Sequence, residues 1–309
     1  MKHFIIKTGT LFAILLVLNA GLDFGVSSIL NKSKVPPYVG WNDIIHDSLD
    51  ADLLIMGSSR ALVQYNPAIL DSILHLNSYN LGMDGRSLNS QIPKYNVYRK
   101  NQSKPKTIIV NIDYFSALNY KIGYDHHQFF PYIFNSDIQR ILLEIEPFSW
   151  AELHVPIYRY TTYCGLYYLM HTTTGFFDQH YKGFEPKNIL WDGSEYEKIK
   201  CYHCEIDGRT MSMFEDFLSQ AQAEDIKVLF CYAPIYFGLT EKVDNLEEMY
   251  SVFSDYSQRY DIPILDYNFS VISRDTTYFY NASHLNKLGA DLFTTQLAKD
   301  IDSLQLLEK

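Results

Sequence analysis

From Asp52 onward, short apolar runs alternate with longer stretches whose apolar residues recur at helical spacing. Five runs have strand length and end in glycine, proline or polar turn residues: 52–56, 78–81, 107–112, 227–232 and 262–266. Thr107-Ile108-Ile109-Val110-Asn111-Ile112 is the clearest, continuous and β-branched, as a strand buried on both faces should be. Residues 67–74, 87–99, 211–224, 245–260 and 288–306 read as helices. Asn66 is placed to cap the first of these, and Pro67 falls in its first turn, where no N–H is needed. Strands alternating with helices predict an α/β fold of three layers, α/β/α, around a five-stranded parallel sheet. Ligands of such sheets bind outside the carboxyl ends of the strands. Ser59, Gly82, Gly85, Asn111, Asp113 and Tyr236 lie just past strand ends and are expected along one edge.

Two stretches depart from the alternation. At the N-terminus Lys2 and Lys7 precede the apolar run Leu11–Leu22; Asp23 interrupts, and Phe24–Leu30 resumes. The uninterrupted run is short for a spanning helix, which needs about 20 residues, and it suits a signal-peptide core. Gly25-Val26-Ser27 is a poor cleavage site, however, and Thr8–Leu30 with Asp23 near one interface makes a workable anchor. The reading favours an uncleaved anchor over a cleaved signal; either places the rest of the chain outside the cytoplasm. The lysines mark the inner side only weakly, because Lys32 and Lys34 follow the segment. The expected organisation is a membrane anchor or signal segment at 1–30, a linker with a short polar helix at 31–50, and an α/β domain at 51–309. Within that domain 114–205 is an insertion, aromatic, His-rich and interrupted by Pro131, Pro147, Pro156 and Pro186. It is expected to be helical, serving either as a lid or substrate platform or as a structural excursion.

Composition narrows the partners. A net charge of -10 argues against nucleic acid or an anionic surface as the main partner. The 25 Tyr and 19 Phe suit a ring-rich core and also the walls of sugar-binding clefts. Cys201-x-x-Cys204 could close a small disulfide in an oxidising compartment; as a zinc half-site it lacks a second pair. Cys231 reads as core, and Cys164 sits in an aromatic segment. His126, His127, His154, His171 and His180 have no metal-ligand spacing, and neither metal nor cofactor is expected.

Two motifs carry the chemistry. Leu53-Leu54-Ile55-Met56-Gly57-Ser58-Ser59-Arg60 sets a serine just past an apolar strand. Asn281-Ala282-Ser283-His284 sets a histidine in a polar turn ahead of the last helix. A serine hydroxyl becomes a nucleophile when a neutral imidazole within hydrogen-bond reach takes its proton, and that ring must be held in one tautomer. The developing oxyanion needs donors already in place.

These residues resemble the SGNH/GDSL hydrolase superfamily, and most of all its membrane-tethered branch associated with envelope polysaccharide modification. The resemblance covers residues 52–115 and 210–300. Gly57-Ser58-Ser59 resembles the first block, Gly-Asp-Ser, with Ser59 as nucleophile. Asn80-Leu81-Gly82-Met83-Asp84-Gly85 resembles the second, whose glycine gives an N–H to the oxyanion; Gly85 matches better than Gly82. Asn111-Ile112-Asp113 occupies the third, usually Gly-x-Asn-Asp, and Asn281-Ala282-Ser283-His284 the fifth, Asp-x-x-His, with His284 as base. The resemblance implies a flavodoxin-like, SGNH-type fold. It also implies an extracytoplasmic serine esterase or acyltransferase acting on ester-linked acyl groups, O-acetyl groups of an envelope glycan among them. The oxyanion donors would be Ser59 and Gly85, with Gly82 and Asn111 as further candidates, and an envelope acyl-transfer protein would be the partner.

Several positions depart from the family pattern. Ser58 stands at the acid of the first block and Ile112 at the asparagine of the third. Asn111 is one residue off and should start on the opposite face of its strand. Asn281 replaces the acid of the fifth block; an amide oxygen can orient an imidazole but cannot stabilise its charged form. In a serine protease such an exchange lowers turnover about 10,000-fold. Asp113, Asp266 or Asp275 is expected to substitute for it. Arg60 and Arg86 either bind an anionic group at the same edge or pair with surface acids, and the second is the expectation. The alternative reading is a catalytically inactive glycan-binding or assembly subunit of the same fold.

Overall fold

A computed structural model of the chain describes residues 1–119, 126–139, 148–162, 170, 180–194 and 196–307. The chain divides into two compact units, Met1–Asn42 with Lys121–Phe177, and Asp43–Tyr120 with Asp178–Lys309.

The first unit begins with α1 (Lys2–Leu30), 29 residues long. Its best 18-residue window has a mean hydropathy of 1.9, and none of that window is buried. Towards its end Asp23, Ser27 and Leu30 are buried. The Asp23 carboxylate accepts from the Arg159 guanidinium at 2.6 Å and from the Ile157 N–H at 2.8 Å. Arg159 also donates to Ser27 Oγ at 3.2 Å and, through Nε, to the Phe130 carbonyl at 3.1 Å. Buried charges persist where they are both paired and hydrogen-bonded. The acid that interrupts the apolar run is therefore a tie-point. Ile157, which it holds, sits at φ +63, a conformation costly for a β-branched residue. Elsewhere in this unit Trp41 Nε1 donates to Gln128 Oε1 at 2.8 Å.

The second unit carries β1 (Leu53–Met56), α2 (Ser59–Gln64), α3 (Pro67–Leu74), β2 (Ser78–Asn80), α4 (Leu88–Asn101) and β3 (Thr107–Asn111). After the excursion follow α5 (Gly208–Ala223), β4 (Lys227–Tyr232), α6 (Leu246–Tyr260) and β5 (Ile264–Asp266). The hairpin strands β6 (Phe279–Asn281) and β7 (His284–Leu285) then lead into α7 (Lys287–Ser303). The first five strands are parallel, in the order β2-β1-β3-β4-β5. In register, Ile55 lies opposite Ile109, which lies opposite Leu229. Period-two alternation divides the sheet's side chains between two faces. Leu53, Ile55, Ile109, Leu229 and Cys231 pack with Leu70 of α3 and with Phe293 and Leu297 of α7. On the other face Phe230 stacks on Phe214 of α5 at 5.8 Å and meets Phe253 of α6. The three-layer α/β/α expectation holds, and each expected strand and helix is present. Asn66 caps α3 as expected, its side chain accepting from the Ala68 N–H.

The short elements were not anticipated. Ser58 is an N-cap whose Oγ accepts from the Arg60 N–H, so α2 starts at Ser59 where the pattern shows only a turn. Glycine is required beside it. A Cβ on Gly57 would lie 2.6 Å from Ala61 Cβ, and one on Gly82 would lie 2.4 Å from the Leu62 nitrogen. Of the expected helical insertion, the described residues hold a 3-10 turn at His126–Tyr132 and short helices at Trp150–His154 and Tyr158–Thr161. Residues 180–194 run largely without regular structure; Phe184 is buried in the core, and the Glu185 N–H donates to the Leu62 carbonyl at 3.0 Å. Cys201 is an exposed free thiol and Cys204 a buried one, so the disulfide considered from their spacing is not formed. Cys164, His171 and Pro147 lie outside the described residues.

Candidate active site

The order of the strands puts β2 on one side of β1 and β3 on the other, so the direction of winding reverses at β1. The crevice at such a switch point is where open α/β sheets bind ligands. Ser59 occupies it, as the first residue of α2, and no described residue accepts from its N–H. His284 arrives from the hairpin, paired across it with Asn281. The Ser59 hydroxyl lies 2.7 Å from His284 Nε2, although 225 positions separate the two along the chain.

The tautomer of the ring follows from its neighbours. Asn281 Oδ1 accepts from the Ser283 backbone N–H at 3.0 Å, and a backbone N–H can only donate. The atom facing it is therefore the amide oxygen. The same oxygen lies 2.9 Å from His284 Nδ1, so Nδ1 carries the proton. Nε2 is left with its lone pair, and Ser59 Oγ–H donates to it. The Tyr280 ring stacks on the imidazole, with centroids 5.2 Å apart and planes 16° from parallel. Burial pushes the His284 pKa down from 6.5 to about 3, and the charges of Arg60 and Lys187 act in the same direction. The ring is thus neutral at physiological pH, as a base must be.

Arg60 follows the serine but turns into the protein, where it is 1% exposed. It pairs with the buried Asp113 carboxylate and donates to the Ala233 carbonyl. Asp113 also accepts from Ser58 Oγ and, at 3.1 Å, from Asn111 Nδ2. The expected surface pairing of Arg60 is corrected: its acid is buried, and the pair joins the carboxyl ends of β1, β3 and β4. Arg86 is buried as well.

The same contacts decide the other candidates. Asp113 is held by Arg60, Ser58 and Asn111, so it does not stand beside the imidazole as a substitute acid. Asp266 accepts from the Asn268 N–H, and Asp275 caps the turn at Thr277; neither reaches the ring. Asn281 itself fills the orienting position, and among the described residues no carboxylate is hydrogen-bonded to His284. Two expected oxyanion donors are also turned elsewhere. The Gly82 N–H donates to Asn80 Oδ1 at 2.8 Å. Asn111 is fully buried, accepting from the Tyr65 hydroxyl at 2.8 Å and donating to Asp113, as its opposite-face position implies. Ser59 and Gly85 keep N–H groups that no described residue engages, and Gly85 adopts φ +61, a conformation natural to glycine.

Sequence reasoning overlooked two features. Asn80, at the end of β2, donates to the Ala61 and Tyr65 carbonyls and so ties the second block to α2; no local pattern announces it. The second is an aromatic wall beside the histidine turn. The Tyr236 N–H donates to the Ala282 carbonyl at 3.1 Å. Trp191, Tyr196 and Phe237 surround the Tyr236 ring at 5.0, 5.3 and 5.1 Å. The sequence puts Tyr236 at the active edge; Trp191 and Tyr196 come from the excursion, whose position the spacing does not give. No group of three or more His, Cys, Asp or Glu able to hold a metal occurs among the described residues.

No family model matches the chain, and no curated protein matches it. Among solved structures it is similar to a protein described as lipolytic, of the G-D-S-L family, from Desulfitobacterium hafniense. That likeness has 12% identity over 80% of this chain and 97% of the other, with a TM-score of 0.41. It is also similar to one described as an acylhydrolase from Bacteroides fragilis, at 14% identity over 82% and 88%, with a TM-score of 0.43. A third is the acetyl xylan esterase AlAXEase, at 10% identity over 82% and 98%, with a TM-score of 0.39. These likenesses are distant, and the chemistry of the site stands on the chain's own geometry. The parallel order β2-β1-β3-β4-β5, with the serine after β1 and the histidine ahead of α7, is the flavodoxin-like arrangement that the SGNH/GDSL resemblance of the motifs implies.

Proposed function

We propose that the protein is a membrane-anchored, extracytoplasmic serine esterase or acyltransferase of SGNH type, acting on ester-linked acyl groups of an envelope glycan. One observation carries the reading: Ser59 Oγ donating at 2.7 Å to an imidazole whose other nitrogen is fixed as a donor to Asn281. In the first half-reaction Ser59 Oγ attacks the acyl carbonyl and its proton passes to Nε2. The carbonyl oxygen, now negative, accepts from the Ser59 and Gly85 N–H groups. His284 then returns the proton to the departing alcohol, leaving an acyl-enzyme. A second hydroxyl, from water or from a sugar, repeats the sequence in reverse and frees the serine. The aromatic cluster around Tyr236, beside the histidine turn and with Phe237 exposed, supports a partner with apolar faces such as a carbohydrate. An apolar α1 with no buried window supports the anchor.

Asn281 costs the site the carboxylate that would stabilise imidazolium, which favours slow turnover and keeps the inactive-subunit reading in contention. A fluorophosphonate probe separates the two. Labelling of the folded protein that disappears in Ser59→Ala and falls sharply in His284→Ala is the expected result. Equal labelling of wild type and Ser59→Ala would leave the reading without its nucleophile.

A further inference from the structure

Where α1 enters its own unit, exposed apolar side chains gather. Phe24 is 74% exposed, Phe134 75% and Trp150 70%, and Val155 and Tyr158 are exposed beside them in the sequence of the same unit. Ala20, Asp23 and Phe24 share a cavity of about 230 Å³ with Phe134, Leu153 and Pro156, which brings these segments level with one turn of α1. Trp150 stacks on His154, which lines the same cavity, with centroids 5.0 Å apart. Below that level α1 is bare: its apolar side chains from Phe4 to Leu22 stand exposed. Those 19 residues rise roughly 28 Å as a helix, close to the ~30 Å hydrocarbon core of a bilayer. Tryptophan and tyrosine concentrate at the boundary of that core, where a ring can sit in apolar surroundings with its polar edge in the headgroups. Exposed aromatic side chains left in water at the point where a bare apolar helix begins suit a lipid surface.

We propose that the first unit rests on the bilayer, with Phe24, Phe134, Trp150, Val155 and Tyr158 in the headgroup–acyl boundary and the Asp23–Arg159 clasp fixing how α1 leaves the membrane. The proposal deepens the anchored reading above and rests on α1 being retained. The clasp argues for retention, since a cut at Gly25-Val26-Ser27 would remove Asp23 and strand the Arg159 charge in a buried site.

The full chain is reconstituted in phosphatidylcholine–phosphatidylglycerol vesicles containing lipids brominated either near the headgroup or at mid-chain, and tryptophan emission is compared with that of Trp150→Phe, an exposed substitution. The expected result is quenching by the shallow bromine exceeding that by the deep one, with the excess lost in Trp150→Phe. Three outcomes overturn the proposal. If carbonate extracts the protein, or its intact mass lacks residues 1–27, the anchor itself fails. If the protein stays in the bilayer but Trp150 responds only to aqueous iodide, the anchor stands and the seated collar fails. If Trp150 is shielded from both iodide and brominated lipid, a protein, including a second copy of this chain, covers the patch instead.

Discussion

In the proposed reaction, Asn281 is the residue on which the rate turns. It holds Nδ1 as a carboxylate would, but as a neutral group it does nothing for the imidazolium formed when Ser59 gives up its proton. A His284 pKa lowered to about 3 means that kcat/KM for a simple aryl ester should stay flat through neutral pH and fall only as the medium approaches pH 3. Asn281→Asp adds a negative charge next to the ring, which favours its protonated form. The acid limb should then move to higher pH, and kcat/KM at neutral pH should rise as the imidazolium gains a counter-charge. An unmoved limb and unchanged rate would show that the asparagine is not what limits the site. Stability follows the same linkage. Between about 3 and 6.5 the unfolded chain's histidine binds a proton that the folded one does not. Stability therefore rises with pH across that window and is lost on acidification through it; His284→Asn should remove this part of the slope in urea unfolding.

Among the elements, the buried Arg60–Asp113 pair fastens the carboxyl ends of three neighbouring strands under the serine. Asp113→Asn keeps the shape but leaves a buried guanidinium without its counter-charge, and about 3–5 kcal/mol of stability should be lost. Replacing both partners, Arg60→Met with Asp113→Leu, should recover much of that loss in urea titrations; a single variant as stable as wild type would mean the charge is solvated after all. The longer elements were legible in advance because their signals are local. β3 is continuous and β-branched, and α3 announces its start with Asn66-Pro67. The six residues of α2 are too few to show a period, and β7 has only two. Those short pieces carry the serine and the histidine.

For the whole molecule, Asp23 has two aspects. In the sequence it shortens an apolar run and leaves anchor and signal segment hard to tell apart; in the structure it is the partner of Arg159 and of the strained Ile157 N–H. Asp23→Leu, which lengthens the apolar run, should improve a signal or span by hydropathy alone, yet it should destabilise the first unit by about 3–5 kcal/mol because Arg159 is left buried and unpaired. Faster proteolysis between residues 126 and 162, reversed by adding Arg159→Met, would be the readout; unchanged proteolysis would mean the clasp contributes nothing.

The amino-acid order alone determined the layered parallel sheet, the extent of its long elements, the apolar N-terminal segment, and the candidacy of Ser59 and His284. Each of these is written in neighbouring residues, as a period, a run or a motif. The tertiary structure decided the rest: that Asn281 and no aspartate faces the imidazole, that Asp113 belongs to Arg60, that the Gly82 and Asn111 donors are already engaged, and that Trp191 and Tyr196 flank the histidine turn. Those outcomes depend on which of several chemically suitable partners the fold brings within hydrogen-bond distance of a given atom. Only the packing of distant segments settles that, because every polar group it buries must find some partner, and no local pattern records which one.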